Sequence, residues 1–272
     1  MMKRIGKFLF LYFIFVGAYP AFAQNNVVLI STSYGDMKFK LYDDTPKHRD
    51  AFLDLAFEGY YDGTLFYRVI QNFLIQGGSA SSKNAPPGKM IGYGDPDKTV
   101  DDEIIKTHFH KKGALCAPRQ PDEKNPFKQS DISQFYIVKG SVFTPGRLDS
   151  MELTINRPIR NRIVKRHMNE EVRAQLKKLK EEKKVKEFRA IATEVKENIE
   201  TDFKLSPGIL LFTPEQKEAY TTVGGYPELD GNYTIFGECI SGFEVIDKIA
   251  SLKTDKNNRP LDDVKIKVTI LK

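Results

Sequence analysis

The chain has 272 residues, of which 40% are hydrophobic, 11% aromatic and 29% charged. This composition supplies the core of one large or two small domains, and it excludes a disordered, a collagen-like and a disulfide-framework chain. The formal net charge is +6, but residues 147–204 hold 16 Lys and Arg against 11 Asp and Glu, and three more cations lie in the first seven residues. Because the remainder is slightly acidic, we expect no nucleic-acid partner.

The N-terminal segment has the three regions of an export signal. Three positive charges precede an apolar run over 8–16, and Ala21-Phe22-Ala23 forms a small-x-small cleavage pattern before Gln24. The apolar run is too short to span about 30 Å of hydrocarbon comfortably as a helix. We therefore expect a signal peptide over the first 23 residues and a mature chain that is periplasmic or secreted. An uncleaved membrane anchor is the alternative.

Short strands dominate the mature chain. The alternation of apolar and charged residues over 36–42 is the period of two expected of a half-buried strand. Thr45 and Pro46 predict the N-cap and first residue of an early helix that stops near Gly59, and a second helix is predicted over 243–249. Strands are predicted over 27–33, 36–42, 65–70, 73–76, 114–117, 134–138, 235–240 and 264–271.

Two stretches depart from this pattern. Residues 77–112, rich in Gly, Pro, Ser, Lys and Asp, predict a long ordered loop. His108 and His110 within it could place two imidazoles on one side of an extended segment, but without a third ligand nearby we expect a solvated loop and no metal site. Residues 169–201 carry apolar side chains at gaps of three or four between charges, which predicts an amphipathic helix or helical hairpin.

The chain has two cysteines, Cys116 and Cys239. They are too few for a Cys-based zinc site. In an oxidising compartment they could form one disulfide, and two buried thiols are an equally good interpretation.

Four sequence blocks resemble the motifs of cyclophilins, the prolyl isomerases. Residues 66–78 (FYRVIQNFLIQGG) are similar to a motif of that family. The motif reads Phe-His/Tyr-Arg-Val-Ile, then two turn residues, then Phe, a hydrophobic residue, one further residue and Gln-Gly-Gly. Residues 133–137 (SQFYI) resemble its Ser-Gln-Phe-Phe-Ile strand, and 229–237 (LDGNYTIFG) its Leu-Asp-Gly to Phe-Gly segment. Residues 113–119 are a weaker match. The blocks follow in the family's order.

The resemblance implies a mainly β fold, an eight-stranded antiparallel barrel capped by two helices, with an inserted charged helical segment. The predicted organisation is a signal peptide over 1–23, a first barrel part over 24–146, a helical insertion over 147–205 and a second barrel part over 206–272.

The resemblance also implies the site residues. The catalytic positions are Arg68, Phe73 and Gln76: the Arg68 guanidinium would reach the prolyl carbonyl and imide nitrogen, and Gln76 would hold Arg68 or the substrate carbonyl. The implied substrate-binding positions are Leu74, Ala117, Arg119, Gln134, Tyr136, Leu229 and Tyr233.

Several positions depart from the family pattern. Leu74 replaces a frequent Met, and Tyr136 replaces Phe and adds a hydroxyl that must reach water or a partner. Glu228 stands where some members carry Trp, so we expect that wall of the groove to be more polar.

The implied chemistry needs neither a cofactor nor a metal. Amide resonance sets a barrier of about 18–20 kcal/mol to X–Pro isomerisation, and a catalyst has only to bind the twisted amide better than the planar forms.

Two functions of different class follow. The first is an exported prolyl isomerase that assists folding and binds proline-containing segments of unfolded or extended proteins. The second is a weakly active or inactive cyclophilin-like chaperone or binding module that uses the helical insertion. In either case residues 147–205 could contact proteins or a membrane surface, since their positive face favours acidic partners.

Overall fold

The computed structural model describes residues 26–95 and 97–271. The predicted signal peptide lies outside these residues. The strands within them are β1 (Val27–Thr32), β2 (Gly35–Leu41), β3 (Phe66–Ile70), β4 (Leu74–Gly77), β5 (Thr99–Val100), β6 (Ala114–Cys116), β7 (Ser130–Asp131), β8 (Phe135–Val138), β9 (Ile235–Ser241) and β10 (Lys267–Ile270). The α-helices are α1 (Pro46–Phe57), α2 (Pro145–His167), α3 (Glu170–Glu181), α4 (Val185–Leu205), α5 (Pro214–Thr222) and α6 (Phe243–Ala250).

Eight strands form one antiparallel sheet in the order β10-β1-β2-β9-β6-β8-β4-β3, and β5 and β7 pair separately. The sheet curls until its two edges meet. The Phe66 amide donates to the Val264 carbonyl at 2.9 Å, and the Ile266 amide donates to the Thr64 carbonyl at 2.8 Å. This contact joins β3 to the segment before β10, so the predicted eight-stranded fold is confirmed.

The interior is an apolar cluster that the sheet shares with α1 and α6. Phe52 of α1 stacks on Tyr61 at 4.9 Å and meets Phe135 and Phe236 at 5.7 and 5.3 Å between ring centroids. From the other side α6 contributes four buried residues to the same cluster, Val245, Ile246, Ile249 and Ala250. The two predicted capping helices are therefore present, and each buries one apolar face against the sheet.

The start of α1 is held differently from the prediction. Thr45 occupies the N-cap position, but its side chain makes no capping hydrogen bond and its hydroxyl is buried without a partner. Glu103, from the long loop, accepts from the amides of Lys47 and His48, both at 3.0 Å. A carboxylate satisfies the unpaired N–H groups of a helix start and suits its positive dipole end, so Glu103 ties the loop to the barrel.

The segment between β8 and β9 is mostly helical. Helices α2, α3 and α4 fill the predicted insertion, and Ile163 of α2 packs with Ile199 and Phe203 of α4. Helix α5 follows, in a stretch for which the sequence patterns predict no helix. Its Tyr220 packs with Phe109, Phe143, Leu148 and Phe212 in a separate cluster next to the barrel. None of the described helices is long and apolar enough to cross a membrane.

Both cysteines are buried, free thiols. Cys116 belongs to an apolar cluster on the outer face of the sheet, whereas Cys239 belongs to the barrel interior. The interpretation as two buried thiols is thus confirmed, since opposite faces of neighbouring strands do not allow a disulfide.

Candidate active site

The site begins as a row of side chains across four neighbouring strands. Register pairs Arg68 of β3 with Gln76 of β4, Gln76 with Tyr136 of β8, and Tyr136 with Cys116 of β6. Residues directly opposite each other point to the same face of a sheet. The row therefore brings the predicted Arg68, Gln76 and Tyr136 together on the outside of the barrel.

A bulge in β3 places two polar side chains on Gln76. The register shifts between Phe66 and Arg68, so two residues oppose one on β4. Arg68 Nη1 donates to Gln76 Oε1 at 3.0 Å, and Gln76 Nε2 donates to the Tyr67 hydroxyl at 2.7 Å. Gln76 is thus held at both ends of its amide, and it in turn orients the guanidinium of Arg68.

Behind this row, Gln134 is a supporting residue and its polar atoms are all engaged. The Tyr67 hydroxyl donates to Gln134 Oε1, and Gln134 Nε2 donates to the Asp131 carboxylate at 2.6 Å. Burial raises the pKa of Tyr67 well above its usual value, which keeps this donor protonated. Gln134 is 3% exposed. It therefore supports the row from within, and its predicted contact with a substrate stays a prediction.

An apolar cluster adjoins the row. Its buried residues are Leu74, Ala114, Cys116, Tyr136, Val138 and Ile235, and its half-buried residues are Tyr42, Phe73, Tyr226, Leu229 and Tyr233. The cluster thus contains the predicted Leu74, Phe73, Tyr136, Leu229 and Tyr233. The Arg68 guanidinium lies 5.6 Å from the centroid of the Phe73 ring, which puts the cation at the border of the cluster.

Tyr226 is a member of this cluster that the sequence motifs did not indicate. Its ring centroid lies 4.3 Å from that of Phe73. It stands just before a short 3₁₀ turn, Pro227–Leu229, which also carries the exposed Glu228. No sequence motif points to it, because its place follows from the pairing of Gly225 with Lys111 and Ser141.

The hydroxyl that Tyr136 adds has a buried partner. It lies 3.0 Å from Nε2 of His110, and Nδ1 of His110 lies 2.9 Å from the Asp230 carboxylate. His110 is fully buried, so the prediction of a solvated loop is wrong here, because an imidazole with two polar partners can enter the interior. His108 instead contacts Asp44 at 2.9 Å.

Two predicted substrate-binding residues have other contacts. Ala117 is fully buried in the barrel interior, so its side chain does not line the cluster. Arg119 donates from Nε to the Asn232 carbonyl at 2.7 Å and lies 4.9 Å over the Tyr233 ring, with its side chain 6% exposed. The side chain of Ala117 thus points to the inward side of the β6 edge, and Arg119 contacts Tyr233 of the cluster. Substrate binding at both positions stays a prediction.

These contacts define what the site can do. Arg68 is half-buried and gives one of its five N–H donors to Gln76, which leaves donors for a carbonyl oxygen or an amide nitrogen. The half-buried rings of Phe73 and Tyr226 offer apolar surface for a flat ring next to that cation. In the part of the chain that the structure describes, no three His, Cys, Asp or Glu residues are placed to hold a metal ion.

Comparison with known proteins identifies the family of the chain. The model of the family described as cyclophilin type peptidyl-prolyl cis-trans isomerase/CLD matches residues 27–150 and 151–270. A relative from Staphylococcus saprophyticus, which carries the name of a peptidyl-prolyl cis-trans isomerase, is 28% identical over 240 residues, 88% of each chain.

Solved structures support the fold. A crystal structure of a Cryptosporidium parvum cyclophilin type peptidyl-prolyl cis-trans isomerase matches with a TM-score of 0.50 at 22% identity, and covers 91% of this chain and 98% of that chain. A second crystal structure of that protein, in the presence of the dipeptide Ala-Pro, gives a TM-score of 0.50 at 22% identity over 90% of this chain and 99% of that chain.

Proposed function

The chain belongs to the family of cyclophilin-type peptidyl-prolyl cis-trans isomerases, and on that premise we propose that it is an exported member, which acts on X–Pro bonds of proteins that fold outside the cytoplasm. The isomerase activity is that of the family. The observation that carries its assignment to this site is the Arg68 guanidinium, held by Gln76 at the border of an apolar cluster.

In the proposed mechanism Arg68 recognises the twisted amide. A planar X–Pro amide delocalises the nitrogen lone pair, and rotation about the C–N bond returns that pair to the nitrogen. A donor near the nitrogen then gains a hydrogen bond that neither planar form accepts, so the stabilisation is selective for the transition state. Because Gln76 holds the guanidinium in place, the Arg68 side chain has to move little during the reaction.

Apolar surface next to Arg68 provides the site for the pyrrolidine ring. Phe73, Tyr226, Leu229 and Tyr233 are the half-buried members that a ring could contact, with Leu74 and Tyr136 beneath them. Holding the ring while the rest of the chain turns about the amide is the second requirement of the reaction. Proline-containing segments are therefore the proposed substrates, in keeping with the related Cryptosporidium parvum protein, which was crystallised in the presence of Ala-Pro.

Export is supported by the N-terminal sequence. Its positive start, apolar run and Ala21-Phe22-Ala23 pattern are those of a signal peptide. When the full chain is expressed in a Gram-negative host, we expect release with the periplasmic fraction and a mature N-terminus at Gln24, measured by mass spectrometry. Ala23→Leu should leave the precursor uncut and membrane-attached, whereas Ala18→Leu, outside the cleavage pattern, should be processed. Uncut wild-type chain in the cytosol would contradict export.

We further propose that the helical arm (residues 147–205) holds unfolded, acidic segments of client proteins. A cleft of about 400 Å³ at its far end is lined by apolar Leu179, Val185 and Phe188 between Lys180 and Lys183. Val185 is 56% exposed, although most apolar side chains of a stable surface helix face a partner. An apolar cleft flanked by lysine ammonium groups suits an extended client segment that carries both apolar side chains and carboxylates.

The arm should be separable from peptide isomerisation. Ile159 and Gly208 lie close together, because Cδ1 of Ile159 is 4.0 Å from the position that a Cβ on Gly208 would take. A short Gly/Ser linker can therefore replace residues 160–207. The Asn156 side chain would still pair with the Leu210 backbone, at 2.7 and 2.8 Å. We expect the truncated protein to keep its kcat/KM on an X–Pro peptide within about threefold, since loop closure costs little, but to lose acceleration of proline-limited refolding of a whole acidic protein.

Two point variants serve as a matched pair for this experiment. Val185→Asp places a charge in the cleft of the arm and should slow client refolding, whereas Leu261→Asp, at a barrel residue that is 64% exposed, should not. If the truncated and full chains accelerate client refolding equally, the holding role is contradicted. It is also contradicted if the arm binds anionic vesicles but does not bind the client. A truncated chain that is insoluble would show that the arm belongs to the barrel core.

A further inference from the structure

A chain of buried polar groups links helix α5 to the apolar cluster of the active site. The Tyr220 hydroxyl donates to Asp230 Oδ2 at 2.6 Å. Asp230 Oδ1 accepts from the His110 amide at 2.8 Å and lies 2.9 Å from His110 Nδ1. His110 Nε2 lies 3.0 Å from the Tyr136 hydroxyl. We call this sequence of four residues the polar chain.

Its partners determine which atoms carry the hydrogens. Asp230 is an acceptor, so Nδ1 of His110 donates to it, and Nε2 of His110 contacts the Tyr136 hydroxyl. Burial raises the pKa of Tyr220 and of Tyr136 well above their usual values, so both hydroxyls keep their protons as donors. A phenol thus stands at each end of the polar chain, with the Asp230–His110 pair in the middle.

Burial makes the polar chain costly to break at any link. Tyr220 and His110 are fully buried, and Tyr136 is 2% exposed. An unpaired polar group in such surroundings is destabilising, so each member constrains the next to a narrow position. The Tyr136 ring also stacks nearly parallel to the imidazole, at 6.2 Å and 7°.

The two ends of the polar chain belong to different parts of the molecule. Tyr136 faces Gln76 across the strands and lies in the cluster beneath Phe73. Tyr220 is on α5, held among Phe109, Phe143 and Phe212 at ring distances of 5.5, 6.3 and 5.8 Å. A helix outside the barrel thus has a hydrogen-bonded connection to a residue under the substrate site.

We propose that Tyr220 is a positioning residue of the isomerase: its hydroxyl orients Asp230 and, through His110, sets the place of Tyr136 beneath the bound proline ring. The proposal rests on the assignment of Tyr136 to the proline site given above. Without the Tyr220 hydroxyl, Asp230 loses one anchor, His110 can shift with it, and Tyr136 leaves the position in which it supports the pyrrolidine ring. The effect should appear in substrate binding, since Arg68 is untouched.

The first test is Tyr220→Phe, which keeps the buried ring and removes only the hydroxyl. We expect KM for an X–Pro peptide to rise about five- to tenfold with kcat nearly unchanged, because one hydrogen bond of about 1 kcal/mol is lost. The matched control is Tyr61→Phe. Tyr61 is also fully buried and its hydroxyl donates to a backbone carbonyl at 2.7 Å, but it lies outside the polar chain. This control should lose similar thermal stability and keep the wild-type KM.

The second test is a double-mutant cycle with Tyr136→Phe, which removes the other end. If the hydroxyls act through the polar chain, Tyr220→Phe should raise KM no further in the Tyr136→Phe background, whereas Tyr61→Phe remains without effect there. A wild-type KM in Tyr220→Phe, or an equal rise in both backgrounds, would overturn the positioning role. An inactive wild type would instead overturn the isomerase assignment, so the two failures are distinguishable.

Discussion

We expect the replacement of Arg68 by alanine to lower kcat/KM for an X–Pro peptide by about 100-fold, the usual loss when one transition-state donor is removed. The side chain lies at the border of the apolar cluster and makes one side-chain hydrogen bond, to Gln76, so its removal leaves no cavity in the barrel. We therefore expect a melting temperature within a few degrees of wild type. A protease-coupled peptide assay and a thermal melt on the same preparation measure the two effects.

The control for this result is an exposed arginine that lies over an aromatic ring at a similar distance. The Arg147 guanidinium lies 5.7 Å from the Phe143 ring, much as Arg68 lies 5.6 Å from Phe73, but it is remote from the row of Gln76. Arg147→Ala should keep full activity. Arg68→Lys should recover little, because an ammonium lacks the planar donors that pair with Gln76. If Arg68→Ala keeps half of the wild-type rate, its catalytic role is refuted and the binding-module alternative gains support.

The second large effect concerns stability. Gly140 has φ of +57°, and a Cβ there would stand 2.1 Å from the Gly225 carbonyl oxygen. Its amide donates to the Phe73 carbonyl at 2.9 Å. Gly140→Ala combines a left-handed backbone with a clash against backbone that cannot move aside, and we expect it to lower the free energy of unfolding by about 3–5 kcal/mol. Urea denaturation followed by circular dichroism measures this loss.

Gly146 provides the matched comparison. It lies in the first turn of α2, and a Cβ there would meet nothing within 4 Å. Gly146→Ala should be neutral or slightly stabilising, since alanine is the better helix former. An equally small effect at Gly140 would mean that the contact between this loop and Gly225 is not a rigid part of the fold.

Much of the fold could be predicted because its determinants are local. The alternation in β2, the helix start at Pro46 and the motif that spans β3 and β4 all correspond to observed elements. The same holds for the core of the site, since Arg68 and Gln76 are opposite each other in a hairpin whose register follows from its short turn.

What could not be predicted depends on contacts that are distant in sequence. Glu103 caps a helix 55 residues before it, and Tyr226 reaches Phe73 only because Gly225 pairs with Lys111 and Ser141. The bulge that turns Tyr67 and Arg68 towards one glutamine has no signal in side-chain periodicity. The inward direction of the Ala117 side chain could not be predicted for a related reason, since motif order gives position along a strand but not the face that a side chain takes.

The separation of the two cysteines onto opposite faces has a consequence for the compartment in which the protein can work. Neither sulfur can serve as a cross-link within the chain, and burial raises the pKa of Cys116 strongly and that of Cys239 to about 11, so a folded copy presents almost no thiolate to an oxidant. In the folded state an oxidising enzyme therefore meets no exposed thiol, and glutathione meets no disulfide that it could reduce. We therefore expect the native state to be insensitive to redox poise.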